Sequence, residues 1–186
     1  MTIHVRTTLT ALAVVGMMAV PLRGDQGGRR DFRAEMTGPQ EVPYVASAAK
    51  GVFKAQLSDD GTSFTYTLDY EGFEGTVTQS HIHLAQPFAS GGISVWLCKT
   101  ALVTPPTGVP ADVPTCGTPG GDGPEAEGVI SAEDVIGPTG QAVPAAAFAE
   151  LVRLMRSGVA YANVHSTSAP GGEVRGQIRL TGRDDH

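Results

Sequence analysis

Three of the five histidines in the chain have the spacing of a metal site. His81 and His83 flank Ile82, so both imidazoles lie on one face if this segment is a β-strand. Because a strand rises about 3.3 Å per residue, their Cα atoms would be roughly 6.6 Å apart, and both rings could reach one ion at about 2.0 Å from each nitrogen. His165 ends a second apolar segment and could supply the third ligand if the two strands are neighbours. The histidines therefore predict a three-histidine metal site.

A hydrogen-bonded structural role for these histidines competes with the metal site. A histidine on an apolar strand is commonly a buried polar group bonded to the backbone, and Asn163 or Ser80 could take part in such a network. A metal-free binding or catalytic role is the third alternative. The remaining histidines, His4 and His186, lie in an apparent export signal and at the last position of the sequence. We assign no catalytic residue and no organic cofactor, and we favour a binding protein over an enzyme.

The N-terminal segment predicts export. Arg6 precedes the apolar stretch 9–20, and Pro21 and a polar, glycine-rich stretch follow, which is the layout of a secretory signal peptide. The apolar stretch is short for a membrane span, and no later stretch has the length of one. We expect residues 1–24 to be a signal peptide, residues 25–31 to be a linker, and the mature protein to be secreted or periplasmic with no membrane span. A retained N-terminal anchor is the alternative, because no Ala-x-Ala cleavage motif precedes the proline.

The charge argues against nucleic acid as a partner. The formal net charge is −6, and it becomes −8 without residues 1–24, because that segment contains two arginines and no acidic residue. An acidic domain with dispersed arginines binds a phosphate backbone poorly. About 160 remaining residues are suited to one domain with an adequate core.

The two cysteines, Cys98 and Cys116, predict a disulfide bond, because an even number of cysteines in an exported chain usually pairs. They enclose a segment rich in proline, threonine and glycine, and closing it is worth about 3 kcal/mol in the chain-entropy model. A site in which cysteine and histidine share a metal is the alternative, although the spacing pairs neither cysteine with a histidine.

Short segments rich in β-branched and aromatic residues, separated by turn formers, predict an all-β antiparallel sandwich or barrel. The segments are 32–37, 51–57, 63–70, 75–85, 93–98, 159–165 and 173–180. Residues 99–128 are predicted to be a long loop that is functional, mobile or held by the disulfide. Residues 145–156 have helical periodicity, with Gly158 as the C-cap, and the helix is expected to pack on the sandwich through its apolar face. Glu173 and Arg175, which are two apart on the last segment, are expected to form an ion pair or to support a histidine.

Four motifs together resemble the CHRD domain, the module named after chordin that also occurs alone in exported bacterial proteins. They are Met36-Thr-Gly-Pro-Gln-Glu-Val-Pro43, His81-Ile-His83, Tyr161-Ala-Asn-Val-His-Ser166 and Pro170-Gly-Gly-Glu-Val-Arg-Gly-Gln-Ile178. The resemblance places the domain at residues 32–182, with residues 183–186 as a tail. It implies little about activity, because the bacterial single-domain members mostly lack one, whereas in chordin the module belongs to an extracellular protein that binds other proteins.

The placement of the histidines is also similar to the copper site of copper-zinc superoxide dismutase. That likeness implies a Greek-key or immunoglobulin-like sandwich or a dismutase-like barrel, with His81, His83 and His165 as copper ligands and Arg175 as a guide for the anion. The likeness does not extend to the zinc site, because no histidine is available to bridge to zinc and no zinc subsite follows His83. Imidazole suits copper, and the Irving–Williams order favours Cu²⁺ over zinc.

These observations lead to three hypotheses for function. The first is an exported protein that binds a transition metal ion, with copper favoured over zinc, and the second is a redox enzyme of the dismutase kind at the same site. The third is an extracellular interaction module that binds another protein and in which the histidines are structural.

Because ligating imidazoles must be unprotonated and histidine ordinarily titrates near pH 6.5, metal binding is expected to be lost by about pH 5.

Overall fold

A computed structural model describes residues 30–181. The predicted signal peptide, nearly all of the predicted linker and the C-terminal tail lie outside these residues. The described part contains the strands β1 (Asp31–Thr37), β2 (Lys50–Leu57), β3 (Phe64–Glu71), β4 (Val77–Leu84), β5 (Ile93–Lys99), β6 (Ala126–Ile130), β7 (Ala160–Ser166), β8 (Val174–Gln177) and β9 (Arg179–Thr181), together with the helix α1 (Phe148–Arg156).

The strands form one antiparallel sheet that is nearly closed into a barrel. Their order is β5-β4-β7-β8-β1-β2-β3-β6, and β9 pairs with β1 beside β8. The edge strands β5 and β6 approach each other without pairing. The predicted all-β antiparallel fold with one helix is therefore confirmed, in its barrel form.

Alternation along the strands separates an apolar interior from a polar outer patch. Ile82 on β4 and Ala162 and Val164 on β7 are fully buried in the hydrophobic core. Side chains alternate across a strand, so the residues on either side of these three face away from the core. His81, His83 and His165 are therefore on the outer face of the sheet, where they can meet one another.

The helix packs its apolar stripe on the barrel, as its periodicity predicts. Its buried residues are Phe148, Leu151, Val152 and Met155, and the Phe148 ring lies 5.7 Å from that of Phe64. Gly158 follows the helix with a φ of 70°, the left-handed conformation of a C-cap glycine. The helix begins at Phe148 instead of Ala145, because Ala146 has a φ of 62° and cannot continue a right-handed helix. Within residues 30–181, no helix combines the length and apolar character that crossing a bilayer requires.

Two predictions about the strands were wrong in detail. The strand β6 lies partly within the predicted loop, because its pairing with β3 depends on packing that its own sequence does not signal. A Cβ atom at position 128 would lie only 3.0 Å from the Tyr66 ring. Glycine therefore leaves the room that this ring needs to pack over β6. The predicted strand 173–180 is divided at Ile178, whose side chain is fully buried and whose N–H donates to Ala160 O.

The predicted disulfide between Cys98 and Cys116 is present, with Cα atoms 5.0 Å apart. It joins the end of β5 to the segment that leads to β6, and Lys99 forms an isolated parallel bridge with Thr115 beside it. The disulfide therefore holds the long loop between β5 and β6 against the barrel.

Replacing both cysteines with serine should lower the free energy of unfolding by about 3 kcal/mol, because the unfolded chain is then no longer restrained by the closed loop. Urea denaturation of the variant and of the wild-type protein measures the difference. A change below about 0.5 kcal/mol, which is typical of a surface substitution, would show that the disulfide does not stabilise the fold.

Candidate metal centre

The sheet topology brings the three histidines together. Strands β4 and β7 are antiparallel neighbours, and their register pairs Gln79 with His165, His81 with Asn163 and His83 with Tyr161. His165 is therefore diagonal to His81 on the same face. The centroid of the His81 ring lies 5.4 Å from that of the His83 ring and 4.9 Å from that of the His165 ring. The juxtaposition expected from the sequence is confirmed, and β8 pairs with β7 on the side away from β4.

The separations between nitrogens approach those of ligands on one ion. His81 Nδ1 lies 3.2 Å from His165 Nε2, so the two imidazoles are hydrogen-bonded in the metal-free protein. Two nitrogens at 2.0 Å from a tetrahedral ion are about 3.3 Å apart, so this pair already has the separation of two ligands. One nitrogen from each of the three rings lies within 4.8 Å of the others.

Backbone carbonyls fix the orientation of two of the rings. His83 Nδ1 lies 2.9 Å from Gly91 O, and His165 Nδ1 lies 2.9 Å from Pro170 O. A carbonyl accepts only, so each Nδ1 carries the proton and each Nε2 keeps its lone pair. Histidines that bind metals usually donate their other ring N–H in this way. Both Nε2 atoms are therefore prepared to act as ligands.

Aromatic side chains enclose the cluster. The Trp96 ring lies edge-on to His81, with 4.2 Å between centroids, and Tyr161 is stacked on His83 with 4.8 Å between centroids. The Arg175 guanidinium lies 3.4 Å from the centroid of the Tyr161 ring, in a cation–π contact. These contacts leave His81 1%, His83 9% and His165 7% exposed.

Burial lowers the pKa of all three histidines. For His81 the pKa lies well below its usual value, because desolvation is joined by repulsion from the other two imidazoles. Desolvation lowers the pKa of His83 to about 4 and also lowers the pKa of His165, in each case against a hydrogen bond to a backbone carbonyl. The cluster is therefore neutral at pH 7, the state in which imidazoles bind metals.

The predicted contact between Glu173 and Arg175 was wrong. The Glu173 carboxylate accepts hydrogen bonds from the hydroxyls of Ser47 and Ser166, while the Arg175 guanidinium donates to Gln86 O. Glu173 precedes β8, so it does not share the strand face of Arg175. Neither residue hydrogen-bonds a histidine, and Glu173 instead joins the turn after β7 to the loop before β2.

Two further polar residues at the centre were not identified as functional from the sequence. Asn163, which was considered only for a structural network, donates from Nδ2 to His165 Nε2 at 2.9 Å. Glu41, in the loop after β1, is 8% exposed, and burial raises its pKa, although the Arg175 guanidinium, the Val42 backbone and the nearby Asn163 amide oppose the effect. Asn163 lies two residues before His165, which could have placed it on the same face. For Glu41 the signal was its place in the first of the four motifs.

Buried polar atoms without a hydrogen-bond partner concentrate at this centre. Among the residues that the structure describes, they include His81 Nε2, His83 Nε2, Glu41 Oε1, Asn163 Oδ1 and Trp96 Nε1. Such atoms are rare in folded proteins, and a bound ion or water is a common explanation. The donor set, three neutral imidazoles, fits a transition metal ion.

The comparisons with known proteins agree with the four sequence motifs. The family model described as the CHRD domain matches residues 32–178, a span that contains all three histidines, Glu41 and Asn163. No curated protein and no solved structure matches the chain. Because the family match covers well over half of the sequence, the chain belongs to the CHRD domain family.

Proposed function

We propose that this chain binds one transition metal ion, with copper favoured, through His81, His83 and His165. The observation that carries the proposal is the convergence of three imidazole nitrogens within 4.8 Å of one another. Two of the rings already donate Nδ1–H to backbone carbonyls, so the orientation of these ligands is set before the ion binds. A purely structural network gives no reason for the unpartnered Nε2 of His83, whose Nδ1 already donates to Gly91 O.

Copper is favoured over zinc on the chemistry of the ligands. The cluster among the described residues consists of imidazoles, with no thiolate or carboxylate in the group. Imidazoles bind both metals, and the Irving–Williams order places Cu²⁺ above Zn²⁺ for the same ligands. The preference is therefore one of affinity, and it can be measured by competition between the two ions.

Export is part of the same proposal. The disulfide between Cys98 and Cys116 is typical of proteins that fold in an oxidising compartment. A secreted or periplasmic location agrees with this disulfide and with the signal-like N-terminal sequence.

A binding role is favoured over a redox enzyme, because the cluster is enclosed. A dismutase-like reaction needs an open coordination position and access for a small oxidant. Each histidine is nine-tenths or more buried, and Trp96 and Tyr161 lie against His81 and His83. Enclosure of this kind retains an ion better than it admits a substrate.

Equilibrium dialysis against copper, followed by metal analysis, tests the proposal. Wild-type protein should retain one copper ion per chain and prefer copper when zinc is present in equal concentration, whereas His81→Ala should retain none. His186→Ala, which removes an imidazole that is not one of the three proposed ligands, is the matched control. Retention of copper together with rapid superoxide dismutation would favour the redox enzyme. Failure of the wild-type protein to retain either metal would leave the metal-free interaction module, whose partner would be an extracellular protein.

A further inference from the structure

One nitrogen of the metal centre is already engaged by another side chain. His165 Nδ1 donates to Pro170 O, so Nε2 is the nitrogen that remains for an ion. Asn163 Nδ2 lies 2.9 Å from this same Nε2, and His81 Nδ1, which belongs to another proposed ligand, lies 3.2 Å from it. Because Nε2 is unprotonated in this tautomer, the amide must present its N–H there, and Asn163 Oδ1 is directed elsewhere and has no partner. A metal ion at His165 must therefore displace the Asn163 amide.

A buried acceptor for the displaced amide lies nearby. Glu41 Oε1 has no hydrogen-bond partner, although Glu41 is only 8% exposed. A Cβ atom added at Gly172 would lie 2.5 Å from Glu41 Oε1 and 3.1 Å from Asn163 Nδ2. Both polar atoms therefore border the space that this glycine leaves open. Gly172 has a φ of 125°, which also favours glycine at this position. A rotation of the amide within this space can bring its N–H from His165 to Glu41.

We infer that Asn163 and Glu41 are positioning residues that exchange a hydrogen bond when the metal binds. In the metal-free protein the Asn163 amide donates a hydrogen bond to His165 Nε2. In the metal-loaded protein the same amide donates to the Glu41 carboxylate instead. The exchange replaces one hydrogen bond with another, so displacement of the amide leaves no buried donor unpaired. This inference rests on the metal binding proposed above and assigns to Glu41 a role without direct contact with the ion.

A double-mutant cycle with copper as the ligand tests the exchange. Glu41→Leu should weaken copper binding by roughly tenfold, because the displaced Asn163 amide then has no buried acceptor. In the Asn163→Ala background the same substitution should change the affinity by less than about threefold, since no amide needs an acceptor. An equal loss in both backgrounds would overturn the inference, because a purely structural or electrostatic role of Glu41 does not depend on Asn163.

A conservative variant separates the acceptor from its charge. Glu41→Gln keeps a carbonyl oxygen that can accept the Asn163 N–H, so its copper affinity should stay within about threefold of the wild-type value. A loss as large as that of Glu41→Leu would indicate that the charge of Glu41 acts on the ion, and the inference would fail. If wild-type protein binds no copper, the proposed function fails as well, whereas a failure confined to the variants affects the exchange alone.

A copper-loaded crystal structure of the wild-type protein gives a second measurement that does not depend on the folding of any variant. Asn163 Nδ2 should lie within about 3.2 Å of a Glu41 carboxylate oxygen and out of hydrogen-bonding distance of His165 Nε2. An amide that has turned to solvent or to another acceptor in the loaded protein would overturn the inference.

Discussion

Copper at about one hundred times its dissociation constant should raise the melting temperature of the wild-type protein at pH 7.5 by about 5 to 10 °C. Ligand that binds only the folded state stabilises it by RT ln(1 + [L]/Kd), which is about 2.7 kcal/mol at this excess. For a domain of this size, each kcal/mol corresponds to about 2–4 °C. The ligands come from β4 and β7, which are separate in sequence, so the unfolded chain lacks the assembled site.

The His81→Ala, His83→Ala double variant should melt at the same temperature with and without copper. Differential scanning calorimetry of both proteins, with zinc as a second ligand, measures the effect. His186→Ala should behave like the wild-type protein. An equal copper-induced rise in the double variant would place the binding outside the cluster, and no rise in the wild-type protein would leave the histidines as hydrogen-bonded structural residues.

The sequence predicted the parts of the fold that depend on local pattern. Strand β3 alternates apolar and polar residues, and the helix has a clear apolar stripe, so both were identified without tertiary information. Strand β6 has a glycine at its centre and an exposed Val129, and it becomes a strand because β3 offers it a pairing edge. Its formation depends on the folded neighbour, which a local pattern cannot report.

The cluster of three histidines was predictable to a similar extent. The His-x-His spacing fixes two imidazoles on one face through strand periodicity alone, but their meeting with His165 depends on the pairing of β4 with β7. Glu41 reaches the centre from the loop after β1, and no periodicity relates it to a histidine. The carbonyls of Gly91 and Pro170 that orient the rings belong to loops, whose paths follow from the closed barrel. Local sequence therefore identified the three histidines that converge, whereas the residues that orient them required the fold.

Stability of the metal-free protein should fall steeply as the pH is lowered from about 6.5 towards 4. All three histidines have a lowered pKa in the folded state, so between these values the unfolded chain binds protons that the native state does not. The contribution of the neutral histidines to the free energy of unfolding is complete above pH 6.5 and is lost as the pH falls through the folded-state pKa. For His83, the difference between an ordinary pKa of 6.5 and about 4 corresponds to about 3 kcal/mol.

Burial also changes the pH at which copper should be released. An ordinary imidazole would be protonated at pH 5, and the sequence alone therefore predicted loss of the metal there. In the folded protein His83 titrates at about 4, so its nitrogen still has a free lone pair at pH 5. Copper should therefore remain bound at pH 5 and be released only as the pH falls further, because the ion competes with the proton for this nitrogen.

Urea denaturation at pH 7.5 and pH 5 measures the linkage, with His83→Asn as the matched variant. An asparagine amide can replace Nδ1–H as the donor to Gly91 O, but it does not titrate. Between pH 7.5 and pH 5 the free energy of unfolding should fall by about 2 kcal/mol more in the wild-type protein than in the variant. The reason is that only the wild-type chain gains a proton at this position on unfolding. Carboxyl groups such as Glu41 titrate in both proteins and cancel in the comparison. Identical losses would mean that His83 is already protonated in the folded state at pH 5, so copper would have to displace that proton to bind there.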